Sequence, residues 1–115
     1  MNRINQLFAS GKRDLLSIYF CAGYPGPDNT AEVIRALENN GVQMIEIGIP
    51  FSDPVAEGSV IQQADERALA SGTTTDRIFI MLEKIADDIH IPMVFMTYAN
   101  VIFVYGVEKF AKRTK

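Results

Sequence analysis

The chain has 115 residues, 48% of them hydrophobic and 22% charged, which suits one modest domain with a core and excludes a compositionally disordered chain. A net charge of −3 and a pI near 5.0, with basic residues scattered, give no footing for nucleic-acid binding. Cys21 is the only cysteine, so no internal disulfide and no zinc cluster is expected; His90, the only histidine, sits between Ile89 and Ile91 and reads as a helix-end or loop residue, which argues against a Ser-His-Asp or Cys-His triad.

In chain order, Ile4, Leu7 and Phe8 fall at helical spacing and Gly11 can end that helix. The β-branched and aromatic run "LLSIYFCAG" predicts a first strand over 17–22, followed by the loop "GYPGPDNT". Asn29 with Glu32 resembles a capping box for the next helix, whose stripe is Val33, Ile34 and Leu37 and whose stop is Asn39-Asn40-Gly41. "VQMIEIG" is the second strand. Ser59 and Gln62 fit a capping box opening a helix that Gly72 closes. Threonines 73–75 and Asp76 start another, with the stripe Ile78, Met81, Leu82, Ile85 and Ile89. Pro92 introduces the third strand, "MVFMTY", and a last helix is expected over 107–112.

Strands alternating with helices, without tight hairpin signals, argue for parallel βαβ units of α/β class. The strands are almost continuously apolar, as when both faces are covered. No composition shift marks a linker, so residues 1–115 read as a single domain part, with too few strands to cover both sheet edges. No run approaches the roughly 20 apolar residues of a membrane span, and "MNRINQLFASGKRD" lacks the apolar centre of a signal peptide, so no membrane association and a cytoplasmic location are expected.

The stretch "MIEIGIPFSDPVAEGSVIQ", residues 44–62, carries the chemistry. Alternation puts Ile45, Ile47 and Ile49 on one face of the second strand and Met44, Glu46 and Gly48 on the other. The isoleucines suit a face covered by helices. Glu46 then lies opposite, near the C-terminal end of the strand, where active sites of parallel sheets and barrels sit. A partly desolvated carboxylate holds its proton to higher pH and suits acid-base work. A carboxylate satisfied by backbone amides or an arginine is the structural alternative, and position alone leaves both open. Pro50 and Pro54 stiffen the loop, Phe51 can pack over the site, Asp53 fits a turn, and Glu57 precedes a helix start that favours an anion. Two acids are too few ligands to argue for a metal.

"EIGIPFSDPVAEGSVIQ" closely resembles the signature of the tryptophan synthase alpha subunit family, E-[LIV]-G-[LIV]-P-F-S-D-P-x-A-D-G-x-x-I-Q. "IYFCAGYP", "RALASG" and "IPMVFMTYANVIFVYGVEKF" resemble the same family's flanking segments, so the likeness runs through the chain. It implies the first three parallel strands, with their helices, of a partial (β/α)8 TIM barrel, ending before strand four. The family is a lyase of tryptophan biosynthesis that cleaves indole-3-glycerol phosphate to indole and glyceraldehyde 3-phosphate by a retro-aldol reaction. It needs no cofactor itself. It works beside a beta subunit that uses pyridoxal phosphate, in a complex of two alpha and two beta subunits. Matched by position, Glu46 is the general acid-base and Glu57 the acid that stabilises positive charge on the indole nitrogen. Tyr19 and Met96 line the indole pocket. Pro50, Asp53 and Asn100 lie at or near the beta-subunit contact.

Protonating an indole carbon needs one carboxyl that keeps its proton, and the cation needs one that stays ionised; two environments can divide those roles. The family's second acid is Asp where this sequence has Glu57, and its "YYNP" reads "YANV" here. The added methylene moves the carboxylate by more than an ångström, a displacement that can cost about a hundredfold in rate. The family's phosphate-holding loops come from later strands. The alternative function is a catalytically incompetent partial barrel that self-associates or keeps only partner binding. An unrelated barrel aldolase is disfavoured because no lysine falls at a predicted strand end to form a Schiff base.

Overall fold

A computed structural model describes residues 2–53 and 56–115; Pro54, expected to stiffen the second loop, lies outside the described residues. Among the described residues nine elements follow in order: α1 (Arg3–Ala9), β1 (Ser17–Cys21), α2 (Thr30–Asn39), β2 (Met44–Gly48), α3 (Ser59–Ala70), α4 (Thr75–Ile85), β3 (Met93–Met96), α5 (Ala99–Tyr105) and α6 (Val107–Arg113). The strands form one parallel sheet in the order β1-β2-β3. The register sets Tyr19 beside Glu46 and Glu46 beside Val94, and it sets Gly48 between Cys21 and Met96.

The period of two is obeyed on β2. Ile45, Ile47 and Ile49 are buried at 5% exposure or less, while Met44 and Glu46 on the other face are half-buried. The isoleucine face packs on Ile34 of α2, on Ile78, Phe79 and Ile85 of α4, and on Phe110 of α6. Each such side chain stabilises the fold by about 1.5–3 kcal/mol on transfer from water. Phe79 is the hub of an aromatic group: its ring centroid lies 5.2 Å from Phe95, 5.3 Å from Phe110 and 5.5 Å from Tyr105. Edge-to-face and tilted pairs at these spacings add to the burial itself. A separate, smaller cluster joins Cys21 of β1 to Ala64 and Ala68 of α3, residues one helical turn apart.

The helix stripes held at their centres. Ile34, Ile78, Ile85 and Ile89 are buried, although α4 ends at Ile85 and Ile89 lies in the turn beyond it. Phe79 belongs to the core as well, since α4 is buried over a wider arc than a single stripe. Glu38 of α2 accepts the backbone N–H of His90 at 2.7 Å and of Ile91 at 3.2 Å, which fixes the approach to β3; His90 is an exposed loop residue.

Three local expectations are corrected. Asn29 makes no side-chain capping bond; it adopts helical backbone angles, and the neighbouring Thr30 hydroxyl instead accepts the Gly23 N–H at 2.9 Å. Ser59 is the first residue of α3 rather than its cap, a place taken by Gly58, and the Gln62 amide turns back to the Glu57 carbonyl at 2.9 Å. The third strand stops at Met96, and "ANVIFVY", rich in β-branched and aromatic residues, forms the extra helix α5. Packing overrides propensity there: Val101, Ile102 and Tyr105, at helical spacing, all rest against the core.

Candidate active site

Beyond the strand ends, the segments after β2 and β3 fold towards each other and meet at Tyr98. Its ring stacks on Phe51, with centroids 4.9 Å apart and planes 28° from parallel. Its hydroxyl accepts the Ala56 N–H at 3.0 Å and donates to the carboxylate of Glu57 in a short hydrogen bond. That bond, with partial burial second, raises the Tyr98 phenol above the ordinary tyrosine value, because ionising it would set two anions together.

A cleft of about 200 Å³ opens beside this contact, lined by Tyr19, Glu57, Asp65, Met96, Thr97 and Tyr98 among others. Complete small-molecule pockets span roughly 300–1,000 Å³, so these three strands build part of one. Tyr19 leans from β1 across Gly48, close enough that a Cβ at position 48 would collide with its phenol. Glycine at 48 thus lets an aromatic ring lie on the sheet at the floor of the cleft. Burial, and then the neighbouring Cys21, Asp65, Glu57 and Tyr98, push the Tyr19 phenol well above the ordinary tyrosine value.

Asp65 enters the cleft from α3. Its Oδ1 accepts the Cys21 thiol at 3.2 Å and its Oδ2 the Phe51 N–H at 3.5 Å. Burial raises its carboxyl, the two hydrogen bonds oppose that, and Glu57 adds to it. Burial also raises the Cys21 thiol, reinforced by Asp65, so Cys21 is a protonated donor and not a nucleophile.

Glu46 is on the same sheet face but does not line the cleft. It is the third of five residues in β2, not near the strand's end as alternation and length suggested, and its Oε2 accepts the Ser17 hydroxyl at 2.8 Å. Ser17 is paired with Met44, so the Glu46 side chain leans towards the N-terminal end of the strands. Among the described residues, no group of three or more His, Cys, Asp or Glu is placed to hold a metal ion.

The match to known proteins covers nearly the whole chain. The family model for the tryptophan synthase alpha chain fits residues 5–115. The chain belongs to this family. It is 56% identical to the tryptophan synthase alpha chain of Bacteroides fragilis over 113 residues, which cover 98% of this chain and 43% of that protein. Identity to the Bacteroides thetaiotaomicron alpha chain is 55%, over 98% of this chain and 44% of that one. Among solved structures, tryptophan synthase subunit alpha from Legionella pneumophila str. Paris superposes with a TM-score of 0.91 at 39% identity, covering 98% of this chain and 45% of that one. Tryptophan synthase from M. tuberculosis in its aminoacrylate-bound form gives a TM-score of 0.88 at 33% identity, covering 98% and 47%. The chain spans less than half the length of the relatives it matches. Its three parallel strands and their helices are a partial (β/α)8 barrel of the tryptophan synthase alpha type.

Against that family's pattern, the fold brings Tyr19, Glu57 and Met96 to one cleft and leaves the Glu46 carboxylate outside it. Asp53 and Asn100 are exposed, whereas Pro50 is buried where β2 runs into its loop. Sequence reasoning missed Asp65, Cys21 and Tyr98 as site residues. Asp65 falls inside the helix that the sequence opens at Ser59 and carries no signal of its own, and Tyr98 reads as the end of a strand; only the packing of α3 on β1 and the turn after β3 bring them together. Among the described residues, no helix is long and apolar enough to cross a membrane.

Proposed function

We propose that residues 1–115 act as the N-terminal part of a barrel lyase, supplying the proton-handling and the charge-stabilising carboxylate that cleave indole-3-glycerol phosphate to indole and glyceraldehyde 3-phosphate in tryptophan biosynthesis. The convergence of Tyr19, Glu57 and Met96 on one cleft, with Glu46 on the same sheet face, carries this reading. Glu46, turned from its Ser17 bond into the cleft, protonates the indole ring carbon at the bond that breaks. It also receives the proton of the glycerol hydroxyl as that oxygen becomes the aldehyde. The Glu57 carboxylate faces the positive charge that develops on the indole nitrogen. Tyr19 and Met96 wall the indole pocket. The chemistry needs no cofactor from this chain; a pyridoxal phosphate-dependent beta subunit takes the indole onward in the cytoplasm. It docks at or near Asp53 and Asn100, with Pro50 setting the loop that presents Asp53.

Indole release from indole-3-glycerol phosphate, measured for the chain alone and with a beta subunit, tests the reading. Indole is expected, and Glu46→Gln is expected to abolish it. No turnover above background in either setting would overturn independent catalysis by this chain. A second reading, self-association, is favoured by the edges of β1 and β3, which no strand pairs among the described residues, and by exposed Met96, Phe103 and Val104. Native mass measurement decides it: a stable monomer removes this alternative.

A further inference from the structure

Asp65 is the only charged side chain that is buried among the described residues, with 4% of its surface exposed. The proposed chemistry makes no use of it. A carboxylate taken out of water loses several kcal/mol of hydration unless strong donors replace the solvent. Its donors here are a thiol, which is weak, and one amide at 3.5 Å, the outer limit of a hydrogen bond. No ion pair reaches it among the described residues. As packing against Cys21, Ala64 and Ala68, an apolar side chain would serve as well.

What the carboxylate does, and an apolar group cannot, is hold the Phe51 N–H where β2 passes into its loop. The Phe51 ring then stacks on Tyr98. The Tyr98 hydroxyl in turn holds the far end of the same loop, through the Ala56 N–H and the Glu57 carboxylate. Both ends of the loop are therefore tied to a contact that Asp65 anchors. We infer that Asp65 is a positioning residue for Glu57, acting through Phe51 and Tyr98. This deepens the lyase reading and rests on it for the role of Glu57. It also gives the longer side chain at position 57 a physical counterpart: Glu has one more rotatable bond than Asp, and a fixed partner limits the rotamers it visits.

The test follows the Tyr98 phenol by NMR of ring-labelled tyrosine in the full chain, which has four tyrosines. The Tyr98 phenol is raised above the ordinary tyrosine value chiefly because its hydroxyl donates a hydrogen bond to Glu57. Asp65→Ala and Glu57→Gln are each expected to lower that midpoint. Asp65 also acts on Tyr98 through its charge, so the decisive comparison is the double-mutant cycle. If Asp65 works by positioning Glu57, Asp65→Ala has a markedly smaller effect in the Glu57→Gln background. Equal effects in both backgrounds overturn the inference. Phe51→Leu leaves the Asp65 charge in place and removes the stack; it too is expected to lower the Tyr98 midpoint. An unchanged midpoint there overturns the inference even if Asp65→Ala does not fold. Indole release reports on the lyase reading alone, so failure of that reading and failure of this one are separable.

Discussion

The two faces of the sheet differ in kind. One carries Ile45, Ile47 and Ile49, all at 5% exposure or less, sealed by α2, α4 and α6. The other carries Tyr19, Glu46 and Met96, half-buried or exposed, with hydrogen bonds where the first has only contacts. Stability is concentrated on the first face and chemistry on the second, although both come from alternating positions of the same strands. A substitution should therefore act very differently depending on whether its position is odd or even along β2.

The largest contrast is expected from Phe79→Ala. It empties the centre of the aromatic group and should cost about 3–5 kcal/mol in urea unfolding. On the opposite face Met96→Ala, at 54% exposure, should change stability by only about 0.5 kcal/mol. Similar losses at both positions would break the comparison.

Gly48→Ala comes next, because it places a methyl where the Tyr19 phenol lies. Overpacking of this kind costs about 1–3 kcal/mol, and displacing the ring from its buried seat should bring the Tyr19 phenol back towards the ordinary tyrosine value in a spectrophotometric titration. An unmoved titration would mean that Tyr19 does not depend on the bare backbone at 48.

Asp65→Asn should act through pH. The Asp65 carboxyl is raised above its ordinary value chiefly by burial, so the folded chain holds that proton more tightly than the unfolded chain. Between the unfolded and folded values the folded state binds more protons, and its stability falls as pH rises. Removing the titration should make Asp65→Asn gain on the parent through that window and keep the gain above it, as read from urea midpoints at several pH values. A gain that shrinks with rising pH would contradict the sign. A side chain that costs stability at neutral pH is what a site residue looks like on the otherwise protective scaffold.

The smallest effect is expected on the sealed side, at its rim. Arg113 lies over Phe79 and reaches Asp76 at 2.6 Å and Glu83 at 3.0 Å, but both acids are exposed. Arg113 lowers the Asp76 carboxyl, chiefly by its hydrogen bond, so the pair's contribution is present above the ordinary aspartate value and fades as pH falls through the lowered one. Arg113→Gln should produce a minor loss that salt erases, because exposed pairs are screened. A loss that persists in high salt would assign the contribution to packing on Phe79.

Much of this architecture is legible in the sequence. The alternation of Ile45, Ile47 and Ile49 with Glu46 named the buried face of β2, and glycines 41 and 72, both at positive φ near 90°, marked where α2 and α3 run out. The stretch 44–62 pointed to the family, and with it to Glu57, Tyr19 and Met96, which the fold gathers into one cleft. The capping boxes were misread for two reasons: Asn29 holds the cap position of α2 but takes helical backbone angles and makes no capping bond, and Ser59 lies one residue inside α3, after the cap Gly58. The helix α5 was missed because β-branched and aromatic residues favour strands until a core asks for helical spacing.

Local patterns act within a few residues: period and composition determined the parallel α/β order and the buried face of β2, and the motif over residues 44–62 pointed to the family. Which side chains share a site is set by contacts between segments far apart in the chain, and those only the tertiary structure decided. Glu57 meets Tyr98 across 41 positions and Cys21 meets Asp65 across 44, while Glu46, on the expected face, turns its carboxylate away to Ser17. A carboxylate's direction depends on which donor the fold brings within reach, and no local pattern encodes that donor.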